Sequence, residues 1–93
     1  MSSEVFWGKS VNKQLDRVPL HILEKFRAWV LAVETDGLRS TRTLPGFHDE
    51  PLKGKRKGQR SIRLSRAYRA IYIESKDGHI ELIEVIEVNK HEY

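Results

Sequence analysis

The sequence predicts an α+β fold, with two N-terminal helices packed on one face of a small, mainly antiparallel four-stranded sheet. Three observations predict it. Apolar residues recur at helical spacing between Val11 and Val33. From Arg60 onward the pattern changes to alternating and β-branched or aromatic runs. Asp77-Gly78 interrupts the second half where two such runs must turn back on each other.

Taken in order, Glu4-Val5-Phe6-Trp7 is short, apolar and closed by Gly8, so it reads as a first strand. Ser10 is placed to cap a short helix carrying Val11, Leu15 and Val18 on one side. Pro19 suits the first turn of a longer helix, where a missing N–H costs nothing. Ile22, Phe26, Trp29, Val30 and Val33 form its apolar stripe, and Gly37 stops it. Such a stripe is core, and Trp29 receives no functional role. Leu38 to Pro51 has no periodicity and reads as a long loop, a kind of segment that often carries function. Arg60–Leu64 and Tyr68–Ser75 follow as strands, joined by a turn over Ser65–Ala67. Lys76-Asp77-Gly78-His79 predicts a type I′ hairpin. Ile80–Val88 is apolar on both faces, the mark of a strand with neighbours on either side. The helices then cover one face of the sheet and leave the other open.

Length limits the chain to one domain, residues 1–93, with one modest core. It has no cysteine, which excludes a disulfide framework and a cysteine-ligated zinc site. Neither a signal-peptide-like run nor a membrane-length segment is present, so a soluble cytoplasmic protein with no membrane partner is expected. The charge is uneven. Leu52–Arg69 holds 8 of the 17 basic groups and no acidic one, while the other 75 residues carry 9 basic against 13 acidic groups. Concentrated positive charge on an otherwise acidic domain suits a polyanion, because a focused field steers and holds phosphates. A solvated loop of lysines is the plain alternative. Against it, Arg63 and Arg69 fall on strands, which fix a side chain's direction better than a loop does.

Near this patch stand Glu50, His91 and Tyr93. A base, an acid and several cations are what RNA cleavage requires. The ribose 2′-OH loses a proton as it attacks phosphorus, the leaving 5′-oxygen gains one, and cations offset the charge of the transition state. Glu50 is equally a surface carboxylate in an Asp49-Glu50-Pro51 turn, and His91 a terminal polar residue. His48, Asp49 and Glu50 are consecutive and poorly placed to converge on one metal ion. His21 and His79 receive no role. Tyr68 and Tyr72 share a face and read as packing, with Tyr68 also able to stack on a base.

Glu50-Pro51-Leu52-Lys53, then Ser61-x-Arg63, then Tyr68-Arg69-x-x-Tyr72, and the ending Asn89-Lys90-His91-Glu92-Tyr93, together resemble the RelE/ParE superfamily of bacterial toxins from type II toxin–antitoxin systems. The first three segments resemble its YoeB pattern, and Leu52 to Arg63 is similar to its HigB pattern. The resemblance implies a microbial-RNase-like fold and a toxin that enters the ribosomal 30S A site, contacts rRNA and cuts mRNA without metal or other cofactor. It further implies a cognate antitoxin as partner. By the same resemblance Glu50 matches the general base, Arg69 the arginine that stabilises the transition state, Lys53 and Arg63 cationic positions of the site, His91 the C-terminal general acid and Tyr93 a C-terminal aromatic. Lys55, Arg56, Lys57, Arg60 and Arg66 are the remaining candidates for gripping RNA or ribosome. Two other readings stand beside this one: a ParE-like inhibitor of DNA gyrase, with the same fold and no nuclease set, and a nucleic-acid-binding module that grips phosphates without cutting.

Overall fold

The structure, a computed structural model, describes residues 2–90. In chain order it contains β1 (Ser2–Phe6), α1 (Lys9–Leu15), α2 (Leu20–Asp36), α3 (Leu38–Arg42), a 3-10 turn (Pro45–Phe47), β2 (Glu50–Pro51), a second 3-10 turn (Gly54–Arg56), β3 (Arg60–Arg63), β4 (Tyr68–Asp77) and β5 (Ile80–Lys90). The expected α+β layering is present, with two differences in count. There are three helices rather than two, and the sheet has five strands in the order β1-β5-β4-β3-β2 rather than four. It is mixed: β1 runs parallel to β5, from Ser2 opposite Ile80 to Phe6 opposite Glu84, and every other pairing is antiparallel. The pairing of β5 on both sides accounts for its apolar residues on both faces.

The extra helix lies in the stretch expected to be a loop. Gly37, at φ +87° and ψ 158°, ends α2 and opens α3: this conformation, open to glycine, turns the axis, its N–H closing α2 onto the Val33 carbonyl and its carbonyl accepting from the Thr41 N–H in α3. The N–H of Leu38 donates to the Glu81 carboxylate at 3.3 Å, and Thr41 Oγ1 donates back to the Gly37 carbonyl at 2.9 Å. Leu38 and Thr41 are both buried, so tertiary packing selects a helix too short to announce itself by periodicity. The extra strand, β2, is only two residues long and contains Pro51, which keeps that edge of the sheet from templating another chain. Three boundary residues also differ from expectation. Gly8, not Ser10, precedes α1, Pro19 is the cap of α2 rather than a residue of its first turn, and α1 ends at Leu15 short of Val18. In the β4–β5 hairpin only Gly78 has positive φ, the pattern of a type II′ turn in place of type I′.

Ile22, Phe26, Trp29 and Val33 on α2 are buried against Ile62, Ala70, Tyr72, Ile83, Val85 and Val88 of the sheet, with Val11 and Leu15 of α1 completing the layer. Aromatic rings run through it in sequence. Trp7 meets Phe26 edge-on at 5.2 Å, Phe26 lies 6.2 Å from Trp29, and Trp29 lies 5.3 Å from Tyr72. A bulge between Ile71 and Tyr72, with Ile86 the extra residue of β5, shifts the register from Ile71–Glu87 to Tyr72–Val85.

The second face of the sheet is less open than expected. Ile71, opposite Ser61 and Glu87, is fully buried outside the main core, and Arg56 reaches Glu87 at 2.8 Å from the Leu52–Gln59 segment. That segment therefore shelters the middle of the face. The end carrying Arg63 and Arg69 is where the face stays accessible.

Trp29→Ala empties the centre of this core and should cost about 3–5 kcal/mol, a large part of the stability of so small a domain. Leu31→Ala, at an exposed position on the same helix, should shift stability by less than about 0.5 kcal/mol. Urea midpoints of the two variants check the contrast; equal losses would mean that Trp29 is not the packing centre.

Candidate active site

At the accessible end of the sheet the chain builds a shallow cleft lined by His48, Glu50, Ser61, Arg63, Ser65, Arg66, Tyr68 and Arg69. Sheet register brings these residues together. Glu50 stands opposite Ser61 on β2–β3, and Arg63 stands opposite Arg69 on β3–β4, two residues further along the same face. Asn89 continues the row on β5. Two guanidinium groups directly opposite each other repel, and like charges so placed normally weaken a sheet. Arg69 Nε is buried and has no hydrogen-bond partner among the described residues. A buried donor left unspent beside a second cation is arranged for an anion. The Glu50 carboxylate, 54% exposed, sits in the same cleft as an acceptor, with His48 Nε2 3.7 Å from its Oε2.

Beneath the cleft, on the helix side of the sheet, the Asp49 carboxylate is almost wholly buried. Arg60 Nε donates to its Oδ1 at 2.7 Å, the Tyr72 hydroxyl donates to its Oδ2, and Arg42 Nε lies 3.9 Å away. Arg42 also pairs with Glu74 at 2.8 Å. Burial first, and then the hydrogen bond to Asp49, push the Tyr72 hydroxyl well above the usual phenol range, against the opposing pull of Arg42. Tyr72 therefore stays a neutral donor. Arg60 and Tyr72 are paired across β3 and β4, so this network clamps β2 to the sheet through the residue next to Glu50.

Of the residues singled out from sequence, Glu50, Arg63, Arg66 and Arg69 line the cleft together. Lys53, Lys55 and Lys57 are exposed on the neighbouring segment and do not line it. Arg56 is paired with Glu87 and Gln59, and Arg60 faces the other side of the sheet, engaged with Asp49. Tyr68 lines the cleft and packs against the core as well. His91 and Tyr93 lie outside the described residues.

No protein-family model and no curated protein sequence matches the chain. Solved structures do. A YoeB/ParE toxin from Agrobacterium tumefaciens superposes with a TM-score of 0.72 over 96% of this chain and 99% of its own, at 24% identity. The chain has the RelE/ParE toxin fold. An archaeal RelE–RelB complex from Pyrococcus horikoshii gives 0.70 over 97% and 96%, also at 24% identity. A toxin–antitoxin complex from Mycobacterium tuberculosis gives 0.68 over 98% and 100%, at 20% identity.

On this RelE/ParE framework the groups missed from sequence are His48 as a cleft residue and Asp49, Arg42 and Tyr72 as the clamp. Asp49 carried a signal, since an acidic residue between a long apolar-poor stretch and the basic run had no partner assigned. Its partners Arg42 and Tyr72 are 7 and 23 residues away, and no local spacing identifies them.

Asp49→Asn should destabilise the fold by about 1.5–3 kcal/mol, the range for a hydrogen bond to a charged group, as read from denaturant midpoints. The Tyr72 shift gives a second expectation. Above about pH 10, where an ordinary tyrosine ionises, the unfolded chain loses a proton that the folded chain keeps, so the stabilising contribution falls as pH rises. Stability measured from pH 8 to 11 should decline more steeply in the wild type than in Tyr72→Phe; parallel declines would remove Tyr72 from the account.

Proposed function

We propose that the chain is the toxin of a type II toxin–antitoxin system, an endoribonuclease that acts on mRNA in the ribosomal A site. One observation carries the reading: two opposed arginines, one with an unspent buried donor, share a cleft with a carboxylate. Phosphate binding alone calls for the cations. The carboxylate adds an acceptor where a bare anion site would exclude one, placed to take a proton from the ligand.

Glu50 takes the proton of the ribose 2′-OH as that oxygen forms its bond to phosphorus. Arg69 and Arg63 hold the non-bridging oxygens, whose charge grows in the transition state, and thereby favour it over the ground state. The P–O5′ bond breaks, leaving a 2′,3′-cyclic phosphate and a 5′-hydroxyl. The leaving oxygen takes its proton from a histidine, and the resemblance offers His91 for this. Lys53, Lys55, Lys57 and Arg66 extend the positive surface toward rRNA and flanking mRNA. A cognate antitoxin with an acidic segment would screen the same surface, and the neighbours solved as toxin–antitoxin complexes support such a partner.

Primer extension on an mRNA in a purified translation system tests the proposal. The wild-type chain should cut within A-site codons only when ribosomes are present, and Glu50→Gln and Arg69→Ala should each lose about 100-fold to 10,000-fold in rate, the first with an unchanged denaturant midpoint and the second with one no lower than the wild type's. Intact mRNA with the wild-type chain would overturn it. Lys55→Ala and Lys57→Ala should instead weaken ribosome affinity, each lowering the dependence of log affinity on log salt by about 1. Their cleavage should recover at low salt.

A further inference from the structure

His48 is the feature that the proposed reaction has not absorbed. Its backbone, at φ 45° and ψ 53°, is the only non-glycine left-handed conformation among the described residues, where a side chain with a Cβ is disfavoured. Nothing in the turn requires histidine. Its N–H closes the Pro45–Phe47 turn onto the Pro45 carbonyl at 3.2 Å, a bond glycine or asparagine makes equally well. Strain held by the surrounding structure is common where a side chain is being presented for a task.

What the strain presents is an imidazole at the edge of the cleft. The Asp49 side chain is drawn into the buried clamp under the sheet, and the residues on either side of it both line the cleft. His48 Nε2 thereby stands 3.7 Å from Glu50 Oε2, with Arg63 and Arg69 in the same cleft. Histidine is the side chain that carries and yields a proton near neutral pH.

Resting on the endonuclease reading, we propose that His48, in place of the His91 that the resemblance offers, is the general acid of the site, giving its Nε2 proton to the leaving 5′-oxygen. The step balances. O2′ bonds to phosphorus and its proton passes to Glu50, while the P–O5′ bond breaks and the oxygen takes the His48 proton. Glu50 then returns its proton to solvent and His48 regains one, so the pair is restored without any net consumption of acid.

The decisive variant is His48→Asn, because asparagine accepts the left-handed backbone and removes only the imidazole. Single-turnover cleavage of ribosome-bound mRNA is measured on a normal linkage and on one whose bridging 5′-oxygen is sulfur, a leaving group that needs no proton. On the normal linkage His48→Asn should be about 100-fold to 10,000-fold slower than the wild type. On the sulfur linkage the two should run at the same rate, with the same denaturant midpoint throughout. A wild-type rate for His48→Asn on the oxygen linkage overturns the assignment, and so does an equal loss on both linkages; in either case wild-type cleavage leaves the endonuclease reading standing. If the wild-type chain cuts neither substrate, the endonuclease reading fails and this assignment with it.

Discussion

The buried carboxylate of Asp49 is the constraint on which the rest of the cleft depends. A carboxylate taken out of water is costly unless its oxygens are filled, and here Arg60 and Tyr72 fill them from β3 and β4 while the Arg42 guanidinium adds its charge at 3.9 Å from the end of α3. Those three elements are thereby held at fixed distances from a two-residue strand that has almost no ladder of its own. Without the clamp, β2 would be joined to the sheet by its pairing with Ser61 and Arg60 and by the bond from the Leu52 N–H to the Gln59 carbonyl. The backbone at Glu50 is anchored through its buried neighbour.

The same arrangement sorts the basic residues into two kinds. Arg56, Arg60 and Arg42 are spent inside the protein, on Glu87, Asp49 and Glu74, where they join segments together. Arg63 and Arg69 face each other with no acidic residue between them, so their repulsion remains in the folded state. A phosphate bound as proposed would relieve that repulsion at the moment it satisfied the Arg69 donor, which has no partner among the described residues. The site is therefore destabilised in the empty protein, a cost carried by the aromatic core of Phe26, Trp29 and Tyr72 on the opposite face.

How far this was legible in the sequence follows from how local each signal is. The α2 stripe, the β4–β5 hairpin and the interior position of β5 are written within a dozen residues each, and all three are present. The short elements α3 and β2 were not legible, because five residues of helix and two of strand owe their form to Glu81 and to the sheet edge, not to propensity. Within the site, Glu50, Arg63 and Arg69, all named from motifs, line one cleft; strand alternation carries the placement of the two arginines, whereas Glu50 fell in a stretch read as loop. Arg60 looked like its neighbours. Alternation alone sends its side chain to the helix side, opposite Arg63, but the acceptor waiting there is a long-range partner.

The parallel pairing of β1 with β5 has a consequence for when the molecule comes into being. The first strand in chain order finds its partner only in the last, Ser2 to Phe6 pairing with Ile80 to Glu84. Contacts of such long sequence separation form late, because the closure entropy of the intervening chain must be overcome before they contribute. A nascent chain that stops before β5 has an unpaired first strand and an unsupported β4, and the row from Arg63 through Arg69 ends without Asn89. Docking of β5 is thus the step that completes the sheet beneath the cleft, although every residue lining the cleft precedes it in the chain.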